Sequence, residues 1–510
     1  MFFVVVLTVL SLPFLWWYFF LQKFKSLSLI PGPRLLPIVG NAFDIGDSPT
    51  GLFNNCAKLL NQYGDVFKLF IGNECKVFIA NADFLEEIMS SNVHIKKSKA
   101  YDSVKPFLND GLLTSTGSKW KKRRKLITPT FHFKILDQFL EVFNSSTDIL
   151  IAKLSSEVGK DWTDIYPYIN LFSLDVICET AMGVKISSQE GKNSEYVQAL
   201  FHYLDNTTVR GFSAWKRFDF LFKFAAEYPL HEKSLDTLQK FPTGLLEKRR
   251  LEKSQEVVEN TSDIGMKRRV ALLDLLLESE DLTNDDIKEE ISTFMFAGHD
   301  TTTSAVTFAL LALAENPEIQ QTVHEEILAV VGDEKYVSMQ HLQDTKYLEM
   351  VIKEVQRKYS VVPLVERQLE MDATICGIDF PRGATLSLYL YGVHHNEKYF
   401  PDPEKFDPDR FLSHRQSERH NYAFVPFSAG PRNCVGQKFA MLAMKVIIIK
   451  ILKEFKIIQV PDHKPQLGMA AVLKSYNGVR IRLMRRDTDF NGPLRTVCVV
   501  VLFFEKVSIS

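Results

Sequence analysis

The chain has 510 residues, 46% of them hydrophobic and 24% charged, with a formal net charge of −1. A sizeable core is easily supplied, and nothing in the balance of charge draws the whole chain to nucleic acid. The six cysteines, Cys56, Cys75, Cys178, Cys376, Cys434 and Cys498, include no C-x-x-C pair, which excludes a disulfide framework or zinc ribbon and fits a reducing compartment.

Residues 1 to 21 carry no charge and close on Trp16-Trp17-Tyr18-Phe19-Phe20. That is about the length of a bilayer-spanning helix with aromatics at the interface. A cleaved signal peptide has a basic start, a shorter apolar core and small residues at the cut. Neither Met1-Phe2-Phe3 nor Gln22-Lys23-Phe24-Lys25 fits that pattern. Residues 1–22 are therefore expected to form an uncleaved single-pass anchor. Lys23, Lys25 and Arg34 would keep the bulk of the chain in the cytosol. Under that orientation the Asn-x-Ser/Thr sites at Asn144, Asn206 and Asn260 carry no sugar.

Residues 23–40 are basic and proline-rich, with Pro31, Pro33 and Pro37, and predict a stiff hinge before a main domain over 41–486. Gly64 to Gly72 reads as a strand between glycine breaks, with Lys76 to Ala80 as its hairpin partner. The chain then turns mainly α. Thr283-Asn284-Asp285-Asp286 resembles a capping box, and no proline follows until Pro317, which predicts a helix about 48 Å long. Gly298 and Thr301-Thr302-Thr303 sit in its middle, where helix propensity is poor, a local conflict expected at functional sites. Further helices are predicted over 346–359 and 437–454, with strands and turns between them. The aromatic segment from Phe212 to Phe224 is read two ways, as an access or membrane-dipping surface or as core. Residues 487–510 look atypical, and Thr496 to Phe504 would suit an extra edge strand.

Chemistry concentrates in Phe427-Ser428-Ala429-Gly430-Pro431-Arg432-Asn433-Cys434-Val435-Gly436. Glycines permit a tight loop and close approach of a large flat ligand. The following helix N-terminus favours a thiolate, and a thiolate is a strong donor to haem iron. A cysteine alone would more often be inert, but the whole pattern F-x-x-G-x-R-x-C-x-G reverses that reading.

On these residues the chain resembles the cytochrome P450 superfamily, and within it family 4, the fatty-acid omega-hydroxylases and their insect relatives. The likeness runs from the proline hinge to about Arg485. It implies a mainly α fold with a small β region, one haem b with Cys434 as axial thiolate, and insertion of one atom of O₂ into a lipophilic substrate. Fatty acids, isoprenoid hormones and xenobiotics are the expected substrates. Ala297-Gly298-His299-Asp300-Thr301-Thr302 matches the oxygen-activation motif, which implies a widened helical turn with Asp300 and Thr301 as proton relay. Glu354-Val355-Gln356-Arg357 and Arg410 match a structural charge network. Trp120 and Arg124 match the family's W-x-x-x-R element. With Arg367, Arg432 and Phe427 they are the expected haem contacts, arginines suiting the two propionates.

Six cations crowd residues 119–125, and with Lys438 they are expected to face an acidic electron donor. The resemblance implies NADPH–cytochrome P450 reductase, with cytochrome b5 as a further partner, at the endoplasmic reticulum membrane. The absence of a G-x-G-x-x-G fingerprint agrees with electrons arriving from outside. Three departures stand out. Ala297 occupies the place of a glutamate that family members use to bind haem covalently, so noncovalent haem is predicted. Ser360 replaces a usual proline and His395 a common arginine, with charged Lys358 nearby, and looser local packing is expected there. A haem-thiolate isomerase or dehydratase is the competing reading, disfavoured by Asp300 and Thr301; a noncatalytic haem binder ranks third.

Overall fold

A computed structural model describes residues 2–213, 215–259 and 271–486, without the side chains of residues 2–10, 134 and 256–259. The predicted tail strand and Asn260 lie outside the described residues. The chain is mainly α-helical with a small β region. The longer helices are α1 (Phe2–Lys23), α2 (Gly117–Ile127), α3 (Phe133–Ser155), α4 (Tyr166–Ala181), α5 (Ser194–Phe212), α6 (Tyr228–Glu259), α7 (Asn284–Glu315), α8 (Lys346–Tyr359) and α9 (Gln437–Glu454).

Helix α7 starts where its sequence directs. The Thr283 hydroxyl accepts the Asp286 N–H at 3.2 Å, and the Asp286 carboxylate accepts the Thr283 N–H at 3.0 Å. This reciprocal cap satisfies two donors that a helix end leaves free. Downstream, nearly every side chain from Ile291 to Ala314 is buried, so α7 runs through the interior, flanked by α4, α8 and α9. Gly298 explains one of those contacts. A Cβ there would lie 2.4 Å from Ile177 Cδ1, so any larger residue would push the Ile177 side chain of α4 aside.

Four strands form the larger sheet in the order β1 (Val66–Ile71), β2 (Glu74–Ile79), β7 (Thr385–Tyr389), β4 (Leu364–Gln368). The predicted hairpin is the antiparallel β1–β2 pair, whereas β2 and β7 run parallel. A three-stranded sheet joins β3 (Thr163–Asp164), β11 (Arg480–Arg485) and β8 (Phe455–Gln459). Two hairpins complete the set, β5–β6 (Ala373–Ile375, Ile378–Phe380) and β9–β10 (Leu467–Met469, Leu473–Ser475).

The predicted hinge does not stand clear of the body. The Pro31 carbonyl accepts the Lys68 N–H at 2.8 Å, and Gly40 bridges to Ile71, so the segment lies along β1. Proline stiffness fits this, since an extended strip can follow a strand edge. The C-terminal end of α1 docks nearby: Trp17, Phe20 and Phe24 surround Phe70 with ring centroids 5.9 to 6.3 Å away. Among the described residues no helix is long and apolar enough to cross a membrane.

Behind α8 the expected charge network is present. Glu354 takes two hydrogen bonds from Arg357 at 2.7 and 2.8 Å and one from the Asp407 N–H at 2.9 Å, with Arg410 Nε 3.5 Å away. Arg357 also donates to the carbonyls of His394 and Pro403. The expectation of loose packing around Ser360 is corrected. Its φ is +28°, outside the range a proline ring permits, and its buried hydroxyl donates to the Arg357 carbonyl at 3.0 Å and pairs with His394 Nδ1 at 2.7 Å. His395 stacks on Tyr391 with ring centroids 3.9 Å apart, and Lys358 caps the Glu404 carbonyl.

Candidate functional site

The loop before α9 is shaped by two contacts. Gly430 has φ +66°, and a Cβ there would sit 1.9 Å from the Met89 carbonyl oxygen, so the position admits only glycine. Four residues on, the Cys434 N–H donates to the Phe427 carbonyl at 2.9 Å and closes the turn. Phe427 itself is half-buried. Gly436 then caps α9, with its own Cβ position 4.0 Å from Cys434 Sγ and 3.8 Å from the Phe131 ring. Phe131 stacks on Phe294 of α7 with centroids 5.8 Å apart, so one ring stands between the cysteine loop and α7.

Cys434 keeps an exposed surface although protein atoms crowd closely around its thiol. Burial pushes the thiol above its ordinary value, while the Gly436 N–H and the Arg124 guanidinium pull it down. The Gly436 N–H at the helix end thus acts in the expected direction, against the larger effect of burial. A coordinated metal ion reverses that balance, because a ligating thiol is deprotonated outright.

The expected cations surround this loop. Arg124 donates to the Asn433 carbonyl at 2.7 Å and to its side-chain oxygen at 2.6 Å, which ties α2 to the residue before the cysteine. Arg432 lies over the Trp120 ring, 4.3 Å from its centroid, and donates to the carbonyls of Ile95, Leu112 and Ser115. Arg367, buried on β4, donates to the Glu366 carbonyl at 3.1 Å. Sequence reasoning missed a fourth cation, Lys97, whose ammonium sits 4.3 Å above the Tyr101 ring. No local pattern distinguishes it from the lysines beside it.

These four groups repel one another. Burial and then Arg367 bring Arg432 down to about 9, and burial, Arg367 and Arg432 hold Lys97 well below the lysine range. The nearest carboxylate, Glu366, is engaged by Lys76 at 2.8 Å and by Ser98 and Ser387. Among the described residues none of the four cations has an acidic partner within ion-pair distance. Leaving buried charge uncompensated is unfavourable unless a ligand supplies the counter-charge. A group carrying two carboxylates and a thiolate-binding metal fits this donor set, which is the composition of haem.

On α7, Asp300 and Thr301 are consecutive. The Asp300 Oδ1 lies 3.0 Å from Lys474 Nζ, both side chains 2% exposed, while Oδ2 is buried with no hydrogen-bond partner among the described residues. The half-buried Thr301 hydroxyl donates to the Ala297 carbonyl at 2.6 Å, and Thr303 does the same to His299 at 2.9 Å. Helix α7 is continuous across this stretch. Hydroxyls bonding back to i−4 carbonyls accommodate the threonine run within it. Lys474 is a second residue that sequence reasoning missed, because its β10 strand meets α7 only through the fold.

The basic patch on α2 is partly internal. Lys119 pairs with Glu289 at 2.7 Å and Arg123 with Asp286 at 2.5 Å, both acids on α7. Of the expected patch, Lys121, Lys122, Lys125 and Lys438 are exposed.

Comparison with known proteins agrees with the geometry. The sequence profile described as cytochrome P450 matches residues 30–478. Cytochrome P450 4c3 of Drosophila melanogaster is 38% identical over 91% of this chain and 90% of its own length. Cytochrome P450 4d2 of the same fly is 39% identical over 92% of this chain and 96% of its own, and cytochrome P450 4V2 of Mus musculus is 38% identical over 92% of each.

Proposed function

The chain belongs to the cytochrome P450 family and is a haem-thiolate monooxygenase, and we propose that Cys434 is its iron ligand. The observation that carries this reading is Cys434 in its glycine-shaped loop beside Arg124, next to a cluster of Arg432, Arg367 and Lys97 that has no acidic partner within ion-pair distance among the described residues. When bound, haem iron supplies the activation of O₂, one atom entering the substrate and the other leaving as water. Arg124, Arg367 and Arg432 would hold the propionates, with Trp120 supporting Arg432 from below and Lys97 adding charge. Phe427 fixes the turn that presents the cysteine. Asp300 and Thr301 would pass protons toward the oxygen site, Asp300 through its free Oδ2.

The haem is held noncovalently, since Ala297 offers no carboxylate for an ester. Acid extraction checks this, because haem remaining with the denatured chain contradicts it. Electrons come from an NADPH-dependent P450 reductase, with cytochrome b5 as a further donor; exposed Lys121, Lys122, Lys125 and Lys438 support an acidic partner at this face. The substrate is lipophilic: a fatty acid, an isoprenoid hormone or a foreign compound. Residues 1–22 anchor the enzyme in the endoplasmic reticulum membrane with its body in the cytosol. Support comes from exposed aromatics at the end of α1, Trp16 and Phe19, and from Trp215, Phe218, Phe220 and Phe224. Both groups adjoin the β1–β2 hairpin, Trp17 through Phe70 and Arg217 through the Ile71 carbonyl and Glu74.

NADPH consumption with purified reductase, measured against a lipid panel, tests the reading. Product formed in step with NADPH is the expected result. Conversion without reductase would favour an isomerase, and binding without conversion would contradict catalysis.

A further inference from the structure

Few acids in this protein are buried as completely as Asp300, and its environment is unusually well determined. Lys474 reaches it from the β9–β10 hairpin, where Lys474 stands opposite Gly468. Two hydrogen bonds hold that hairpin in place. The Ser304 hydroxyl, one turn beyond Asp300 on α7, donates to the Leu473 carbonyl at 2.7 Å. The Leu473 N–H donates to the Val361 carbonyl at 2.9 Å. The lysine is therefore presented to the carboxylate by a strand that is itself fastened to the same helix.

The other titratable groups around Asp300 do not substitute for Lys474. From α4 comes Tyr166, from α5 Tyr196 and Asp205, from the end of the hairpin Tyr476, and from α7 His299. Burial holds His299 down to about 4, so its ring is neutral, and Asn170 takes its Nε2 at 2.7 Å. The tyrosines are pushed above their ordinary values, chiefly by burial, and stay uncharged. Asp205 is a second acid, half-buried, bonded by the Tyr476 hydroxyl at 2.8 Å. Although burial opposes its charge, Lys474 is held above the ordinary lysine value, first of all by Asp300. Lys474 is thus the one cation among the described residues near Asp300.

We propose that Lys474 is a positioning residue for oxygen activation: by pairing with Asp300 Oδ1 it fixes the carboxylate in place and leaves Oδ2 free for proton transfer. This rests on the reading of Asp300 as part of the proton relay. Lys474 does not itself transfer the proton, since its elevated pKa makes it a poor donor to a carboxylate. Its role is electrostatic and geometric, set from a strand far along the chain from Asp300.

The test compares Lys474→Met, Lys474→Arg, Asp300→Asn and the double variant Asp300→Asn/Lys474→Met in the full-length holoenzyme. Coupling of NADPH consumption to product is the functional readout. Roughly tenfold loss is expected for Asp300→Asn and equally for Lys474→Met, with the double variant no worse than either and Lys474→Arg close to the parent. The readout independent of turnover is thermal stability: Lys474→Met strands a buried carboxylate and should melt lower than the parent at about neutral pH, and the double variant should not. If Asp300→Asn uncouples the enzyme while Lys474→Met does not, the inference on Lys474 fails and the relay reading stands. If Asp300→Asn leaves coupling unchanged, the relay reading itself fails. Should Lys474→Met not accumulate with haem bound, Lys474→Gln, which keeps length and a donor but no charge, decides: roughly tenfold uncoupling with Lys474→Arg coupled sustains the proposal, and coupling equal to the parent overturns it.

Discussion

Removing Arg357 should weaken the protein more than removing its partner Glu354, although the two form one ion pair. Both side chains are 0% exposed. With Arg357→Met, Glu354 keeps the Asp407 N–H and a distant Arg410, but loses both guanidinium bonds. The carbonyls of His394 and Pro403 also lose a donor. An uncompensated buried charge costs about 3–5 kcal/mol, and two orphaned carbonyls place the loss near the upper end. With Glu354→Gln, Arg357 retains its carbonyl partners and the amide can still accept, so about 2 kcal/mol is expected. The rate of thermal inactivation of the holoenzyme is the assay. If the whole loss falls on the unfolding step, 3 kcal/mol corresponds to roughly a hundredfold faster inactivation. Equal rates for both variants, or less than about fivefold acceleration by Arg357→Met, would refute the reasoning that stranded charge and stranded carbonyls add.

Glu290 supplies a pH dependence. It is fully buried, accepts the Leu112 N–H at 3.1 Å, and burial pushes its carboxyl up to about 7. A raised folded-state pKa gives stability that is present at low pH and lost as pH rises through about 7. Glu290→Gln should flatten the parent's decline between about pH 4.5 and 7, a difference of about 3 kcal/mol by denaturation. Ser360→Pro should lower the melting temperature, because φ +28° is closed to proline and the hydrogen bond to His394 is lost. A loss of about 2 kcal/mol is expected, and an unchanged melting temperature would show that this turn rearranges freely.

Much of the frame was legible in local sequence. The α7 cap, the span 346–359 of α8 and the span 437–454 of α9 all follow from caps and apolar spacing confined to a few neighbouring residues. The cysteine loop was legible for the same reason, since Phe427, Gly430, Arg432 and Cys434 act within eight positions. Lys97 and Lys474 were not, because each acquires its role from partners far along the chain: Arg367 and Arg432 for one, Asp300 for the other. The basic run on α2 misled in part for the converse reason. Its composition was visible, but not that Lys119 and Arg123 turn inward to acids on α7. The hinge was visible as stiff, yet its hydrogen bond to Lys68 depends on where β1 lies.

The assignment of Cys434 is tested most directly by the spectrum of the reduced, carbon-monoxide-bound protein and of Cys434→His. The parent should show its Soret band at the thiolate position. Cys434→His should lose that band, either for one of imidazole type or with the haem itself. A thiolate-type band that survives Cys434→His would contradict the account.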